Sequence, residues 1–284
     1  MSRLDEIMEK VDKLPPFSNV VGRAAALFSN PEIEPEEIVD VIKFEPAITA
    51  NVLKICNSAY YGLMRKVSSL KEAATYLGTE ELLKIALANG MAEVLKDDIK
   101  GYDLKEGELF KHSIGCAIAS QLLSKKLFVQ NPNILFTGSL LHDIGKLILS
   151  EFVNEEYNNI HRMVVEKQCS FIEAEREILN TDHAEIGGFL ADEWKFPEEL
   201  KAIIKYHHEP AKGPESQQQN IEIVHVSDLL CLMSGIGIGS DGMAYRASLQ
   251  QINIIKLIDS SLESLICDLI TELEKVSTSY NLSN

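Results

Sequence analysis

Residues 110–123, FKHSIGCAIASQLL, place Phe110, Ile114, Ala117, Ile118 and Leu122 at recurring three-to-four spacing. That recurrence is the apolar stripe of an amphipathic helix. His112 lies in the same stretch, with Gly115, Cys116 and Ala119 at i+3, i+4 and i+7 on its own face. Small neighbours let a second helix approach and leave an imidazole room to reach inward. Standing alone, such a histidine reads as a core residue bonded to a carbonyl.

The rest of the chain reads the same way. Pro132 opens ILFTGSLLH after Asn131, an N-cap followed by proline at the first helical position. Thr79-Glu80-Glu81 opens ELLKIALANGMAEVL with carboxylates at the positive helix end. Asp182 and Glu185 have capping-box spacing. Pro197 starts PEELKAIIKYHH, and Glu209-Pro210 stops it. Asn57-Ser58-Ala59-Tyr60-Tyr61-Gly62 reads as a helix end, with Gly62 as the stop and Asn57 and Ser58 bonding the last carbonyls or the next loop. No stretch alternates with period two for long enough to make a strand. An all-α fold is expected.

Two loops interrupt the helices. Residues 211–220 are polar, with Gly and Pro, and read as a flexible connection. GIGIGSDG (235–242) follows a helix rather than a strand and lacks the Lys-Ser/Thr of a P-loop, so it reads as a plain loop and not a phosphate cradle. In the tail, Leu262, Leu265, Ile266, Leu269, Ile270 and Leu273 share one helical face. That face is expected to dock on the body, with a homodimer contact as the alternative.

Composition narrows the function. The chain has 284 residues, 45% of them apolar, enough for a sizeable core. Its net charge of −16 and the lack of a basic run argue against nucleic-acid binding, which relies on Lys and Arg at phosphates. Apolar runs such as ILFTGSLL are too short to span a bilayer. MSRLDEIMEKVDKLPP is not a signal peptide, and a cytoplasmic location is expected. Five scattered cysteines, Cys56, Cys116, Cys169, Cys231 and Cys267, suggest neither a disulfide framework nor a zinc knuckle, and read as small buried residues.

Chemistry concentrates in seven residues: His112, His142, Asp143, His183, His207, His208 and Asp228. Imidazole and carboxylate are the donors that Zn, Mn, Fe and Ni sites use. Read as helical, His142 and Asp143 diverge by about 100° and can grip one ion from two sides, or Asp143 can bridge two. An ionised aspartate in an apolar helix is costly unless paired or metal-bound. A pair with Lys146 at i+3 is a partial escape. Lys146 reads equally as a phosphate contact and as a solvated helix-end lysine. His183 sits in a first turn beside Asp182, where an anion is also favoured. One of His207 and His208 can ligate while the other points elsewhere. Asp228 lies in IEIVHVSDLLCLM, with His225 one turn earlier as an alternative ligand. His161 has no partner at ligand spacing and reads as surface. Seven donors exceed the need of one ion and fit two divalent ions sharing Asp143. Such a pair would attract a phosphate and activate water for phosphoester hydrolysis.

The order His112, His142-Asp143, Asp228 resembles the HD superfamily of metal-dependent phosphohydrolases. His183, His207 and His208 make it similar to the di-metal branch that includes the HD-GYP cyclic-dinucleotide phosphodiesterases. That likeness implies a basic site of His112, His142, Asp143 and Asp228, a second site completed by His183, His207 and one of the later histidines, and Lys146 near substrate. HHEPAKGPES lacks the Gly-Tyr-Pro loop of that family, which weakens the cyclic-dinucleotide reading. Leu14-Pro15, Glu45-Pro46, Val52-Leu53-Lys54, residues 57–62, Ser69-Leu70, Ala73-Ala74 and Leu77-Gly78 resemble an HDOD domain across 14–210, with Glu45 where that family usually has Asp. This likeness implies a bacterial signalling or regulatory protein. It also implies an N-terminal helical lobe (14–100) packed on an HD-like metal-binding lobe from 101, with 211–284 completing the lobe through Asp228. HDOD proteins have generally lost metal ligands, and this chain keeps the set. The expectations are two divalent transition ions (Fe, Mn, Ni or Zn) and a signalling protein or nucleotide-like small molecule as partner. Asp143 and Lys146 are the residues placed nearest the chemistry. The regulatory reading leads, a working phosphohydrolase is its rival, and a di-iron redox or oxygen-sensing site ranks third.

Overall fold

The structure is a computed structural model. It describes residues 6–10, 19–27, 34–43, 46–129, 132–242 and 262–280. Among these, the regular structure is helical, and the single extended pairing is an isolated bridge between Ile99 and Leu104. No helix among the described residues is long and apolar enough to cross a membrane.

Helices α1 (Asn19–Leu27), α2 (Pro35–Ile42), α3 (Pro46–Cys56) and α4 (Leu70–Leu77) gather on α5 (Thr79–Val94). Leu82, Leu83, Ile85, Ala86, Leu87, Ala88 and Met91 are all buried on α5. A helix apolar on every side must be covered on every side. It also packs against α6 (Glu108–Lys126) and α7 (Pro132–Leu141). α6 and α7 pack along each other and against α12 (Gln218–Met233). Of the next four helices, α8 (Lys146–Lys167) packs on α9 (Phe171–Leu179) and α10 (His183–Glu193), α10 packs on α11 (Glu198–Tyr206), and α11 packs on α7 and α12. The last, α13 (Leu262–Tyr280), lies on α6 and α3. One apolar cluster runs through all of these, from Ile7 to Leu273.

Local chemistry sets the boundaries. Ser170 accepts from the Glu173 amide while the Glu173 carboxylate accepts from the Ser170 amide, a complete capping box for α9. At α10 only half of the expected box forms. Asp182 accepts from the Glu185 amide at 2.8 Å, but the Glu185 carboxylate accepts from the Thr181 hydroxyl instead. α3 ends at Cys56, six residues before Gly62, because Asn57 takes over the end of the helix. Its amide donates to the Leu53 and Val67 carbonyls, and its oxygen accepts from the Val67 amide. Gly62, with φ 55°, turns the chain further on. Pro132 opens α7 as expected, while Asn131 lies outside the described residues. The segment 211–220 is not a loop throughout. It holds 3-10 turns at Pro210–Lys212 and Glu215–Gln217, and its last three residues begin α12.

On α13 the expected face docks through Leu265, Leu269 and Leu273, which are buried, with Leu262 and Ile266 partly so. Ile270 departs from it and is 39% exposed. A three-to-four stripe covers a limited arc, and Ile270 falls at its outer edge.

Candidate metal centre

Five parts of the chain converge on one buried point. His112 is in the middle of α6, His183 opens α10, and Asp228 lies in α12. His207 and His208 follow the end of α11. His142 and Asp143 are not helical, as their neighbours suggest, but stand in a tight turn between α7 and α8. The turn closes through the Ile144 amide to the Leu141 carbonyl and the Lys146 amide to the Asp143 carbonyl. Gly145 makes it possible. A Cβ there would lie 1.9 Å from the His183 carbonyl oxygen, so only glycine lets the start of α10 rest on the turn. That contact sets His183 beside Asp143.

Four imidazoles are held by the same device. Nδ1 of His112 bonds the Ile236 carbonyl (3.0 Å), that of His142 the Ser139 carbonyl (2.7 Å) and that of His207 the Ile204 carbonyl (2.7 Å). Nδ1 of His183 bonds the Glu175 carboxylate at 2.8 Å. A carbonyl can only accept, so Nδ1 carries the proton, and in the neutral ring the Nε2 lone pair is left for another partner. For His142 and His207 that Nε2 is buried with no hydrogen-bond partner. A buried polar atom left unpaired is costly, and an electrophile removes the cost.

Asp143 stands between two sets of these nitrogens. Its Oδ2 lies 3.4 Å from His142 Nε2 and 3.8 Å from His112 Nε2. Its Oδ1 lies 3.5 Å from His183 Nε2 and 3.8 Å from His207 Nε2. Donor atoms within 4.8 Å of one another form two groups: His112, Cys116, His142 and Asp228, and then Asp143, His183, His207 and His208. In the first, His112 Nε2 is 3.1 Å from Asp228 Oδ1. In the second, Nε2 atoms of His183 and His208 are 2.8 Å apart, close to the separation that two ligands at about 2.0–2.1 Å from one ion make at right angles. Nitrogen and carboxylate donors of this kind, with two Nε2 atoms otherwise unpartnered, fit a transition-metal site.

The electrostatics follow from burial and pairing. Burial disfavours a charged His112, but the hydrogen bond and charge of Asp228 outweigh it and raise the imidazole to about 9. Burial holds His142 below the ordinary range, and His207 and His208 well below it. Burial lowers His183 too, yet Glu175 more than compensates and draws it up. Burial opposes ionisation of Asp143 and Asp228, and the facing cations and imidazoles reverse that and hold both below the usual carboxylate range. Burial, and then Cys231 beside it, push the Cys116 thiol well up.

Lys146 is buried, which rules out the solvated helix-end reading. Its Nζ lies 2.6 Å from Asp143 Oδ2, the expected i+3 pair, and 2.6 Å from Asp241 Oδ2. Asp241 belongs to the glycine-rich loop expected to be plain. That loop lines the site: Ile236 holds His112, and Gly237, at φ 57°, passes so close that a Cβ would lie 2.7 Å from His112 Cβ. His225 borders the same cavity without joining either donor group, and His161 is exposed.

Two further residues escaped the sequence reading. Glu175, fully buried, accepts from the Tyr102 hydroxyl at 2.6 Å and from His183 Nδ1. The available signal was Glu175 at i+4 from Phe171 on the apolar face of α9, where a carboxylate needs a partner. Tyr102 lies in a short 3-10 turn and carried no signal of its own. A cavity of about 190 Å³ reaches His112, Asp143, Lys146, His183, His208 and Asp228, with Arg176 also on its wall.

A family model of the HDOD domain matches residues 14–210. The chain belongs to the HDOD family. The match covers six of the seven predicted donors, and Asp228 of this HDOD protein lies beyond it. An uncharacterized protein of Treponema pallidum (strain Nichols) is 22% identical over 227 residues, 78% of this chain. The chain spans only 43% of that relative's length. Among solved structures, an HDOD domain protein of unknown function from Geobacter sulfurreducens is similar at TM-score 0.73 and 25% identity, over 94% of this chain and 96% of its own. A protein of Shewanella amazonensis SB2B, provisionally assigned as a phosphohydrolase, is similar at TM-score 0.71 and 23% identity over 98% of both chains. The second likeness speaks to the fold alone.

Proposed function

We propose that this HDOD protein holds two divalent transition ions bridged by Asp143 and serves a signalling or regulatory role. The observation that carries the two-ion reading is the placement of Asp143, whose two oxygens face two separate sets of imidazole nitrogens. In this reading His112, His142 and Asp228 hold one ion, His183, His207 and His208 hold the other, and residues 211–284 complete the lobe that begins at 101 by supplying Asp228. The regulatory role rests on family membership. Its partner would be a signalling protein or a nucleotide-like small molecule.

One observation favours a second reading, metal-dependent phosphoester hydrolysis: the cavity reaches both donor groups and Lys146. Bound ions would supply Lewis acidity and a water of lowered pKa. Lys146 would meet a substrate phosphate as a point charge once it exchanged Asp241 for the ligand. Asp143 would orient the donors on both sides. Metal analysis of the purified chain is expected to give two ions, and fewer than one in Asp143→Ala. Metal content that is unchanged in that variant refutes the bridge. Hydrolysis of a generic phosphodiester with added Mn or Fe, abolished in Asp143→Ala, supports the enzyme. Background rates in the loaded wild type leave the regulatory reading standing and remove the enzyme.

A further inference from the structure

The first donor group contains a sulfur that no HD-type reading of this chain requires. Cys116 follows His112 by one turn of α6, so the two side chains share a face. The thiol is fully buried, and its Sγ stands 3.5 Å from His112 Nε2. Donor atoms of His112, Cys116, His142 and Asp228 all lie within 4.8 Å of one another. One of them, His142 Nε2, is buried with no hydrogen-bond partner, so the group already holds an atom that calls for an ion.

A buried cysteine ordinarily serves as a small apolar residue, and Cys116 also has Cys231 hydrogen-bonded beside it. The distances argue for more. An ion with metal–sulfur and metal–nitrogen bonds of about 2.3 and 2.0–2.1 Å holds sulfur and nitrogen about 3.5 Å apart at tetrahedral angles. Cys116 and His112 are already at that separation. Cys231, although adjacent, does not belong to the donor group.

Building on the two-ion reading, we propose that Cys116 is a thiolate ligand of the ion held by His112, His142 and Asp228. The S–H proton passes to solvent as the metal–sulfur bond forms. Thiolate and Asp228 then balance the divalent charge of that ion, so the charge of the bridging Asp143 counts toward the other. A sulfur donor on one side only makes the two positions unequal. The first selects softer ions such as zinc, iron or cobalt over magnesium and manganese, and the second keeps nitrogen and oxygen donors alone.

Cobalt(II) loading of the chelator-stripped full-length chain tests this. Histidine and carboxylate donors give visible d–d absorption, and a thiolate adds a near-ultraviolet sulfur-to-cobalt charge-transfer band. The wild type is expected to show both. Cys116→Ala and Cys116→Ser are expected to lose the near-ultraviolet band to background while keeping the visible one, and Cys231→Ala to keep both. Visible absorption without the charge-transfer band in the wild type overturns the thiolate and leaves the two-ion centre intact. So does a band lost in Cys231→Ala but retained in Cys116→Ala. Failure of the wild type to bind cobalt overturns both readings.

Discussion

Replacing Glu175 with glutamine keeps its size but removes one acceptor. Glu175 uses one oxygen for the Tyr102 hydroxyl and the other for His183 Nδ1. An amide offers a single oxygen, and its NH2 would face a donor. Partners that orient a metal-binding histidine are worth about 10–100-fold in metal affinity. Glu175→Gln is therefore expected to weaken metal binding by about that factor in competition with a chelator. Urea denaturation of the metal-free variant should show a loss of about 1–3 kcal/mol for the unpaired buried group. Unchanged metal affinity would mean that His183 keeps its tautomer without Glu175.

At the scale of the element, α13 separates packing from pattern. Leu269 is fully buried against the body and Ile270 is exposed. Leu269→Ala should cost about 2–5 kcal/mol in urea unfolding. Ile270→Ala should change stability by less than about 0.5 kcal/mol. Equal costs would place the docking face elsewhere. The same helix reaches the turn after α3, where the Tyr60 hydroxyl donates to Glu272 at 3.4 Å. Tyr60 is 39% exposed, and its partial burial, and then the Glu272 charge, raise it toward about 12, against 10.0 for an ordinary tyrosine. The folded state thus holds this proton more tightly than the unfolded state. The contact is fully favourable below about pH 10 and is lost as pH rises toward 12. A spectrophotometric titration of wild type minus Tyr60→Phe should reveal one phenol ionising near 12. An ionisation at the ordinary value would show that the Glu272 contact is not made in solution.

For the whole molecule, the proposed centre links residues from His112 to Asp228 across five elements. An ion that binds only the folded chain at 100 times its Kd stabilises it by about 2.7 kcal/mol. At about 2–4 °C per kcal/mol for a chain of this order of size, chelation should lower the melting temperature by about 5–11 °C. Differential scanning with and without a strong chelator measures it, and no shift would mean that folding does not depend on the ion. Because one apolar cluster runs from Ile7 to Leu273, the shift is expected in a single transition shared by the α1–α5 and α6–α12 regions.

The sequence alone determined what depends on neighbours along the chain. Three-to-four periodicity, Asn57 and Asp182 at helix ends, and proline positions specify helices, since these act over a turn or two. Polar residues embedded in apolar helices also announced themselves: His112 and Asp228 could not lie there without partners. Only the tertiary structure decided which partners. That the two oxygens of Asp143 face different nitrogens, that Lys146 is buried against Asp241, that the glycine-rich loop holds His112 from 124 residues away, and that Glu175 turns toward His183 depends on how helices cross. So does the approach of Cys116 to the donors of α12 and of the 142–145 turn. Crossing is set by close packing over the whole core, where one Cβ at Gly145 would separate two elements 38 residues apart along the chain. No local pattern encodes that distance.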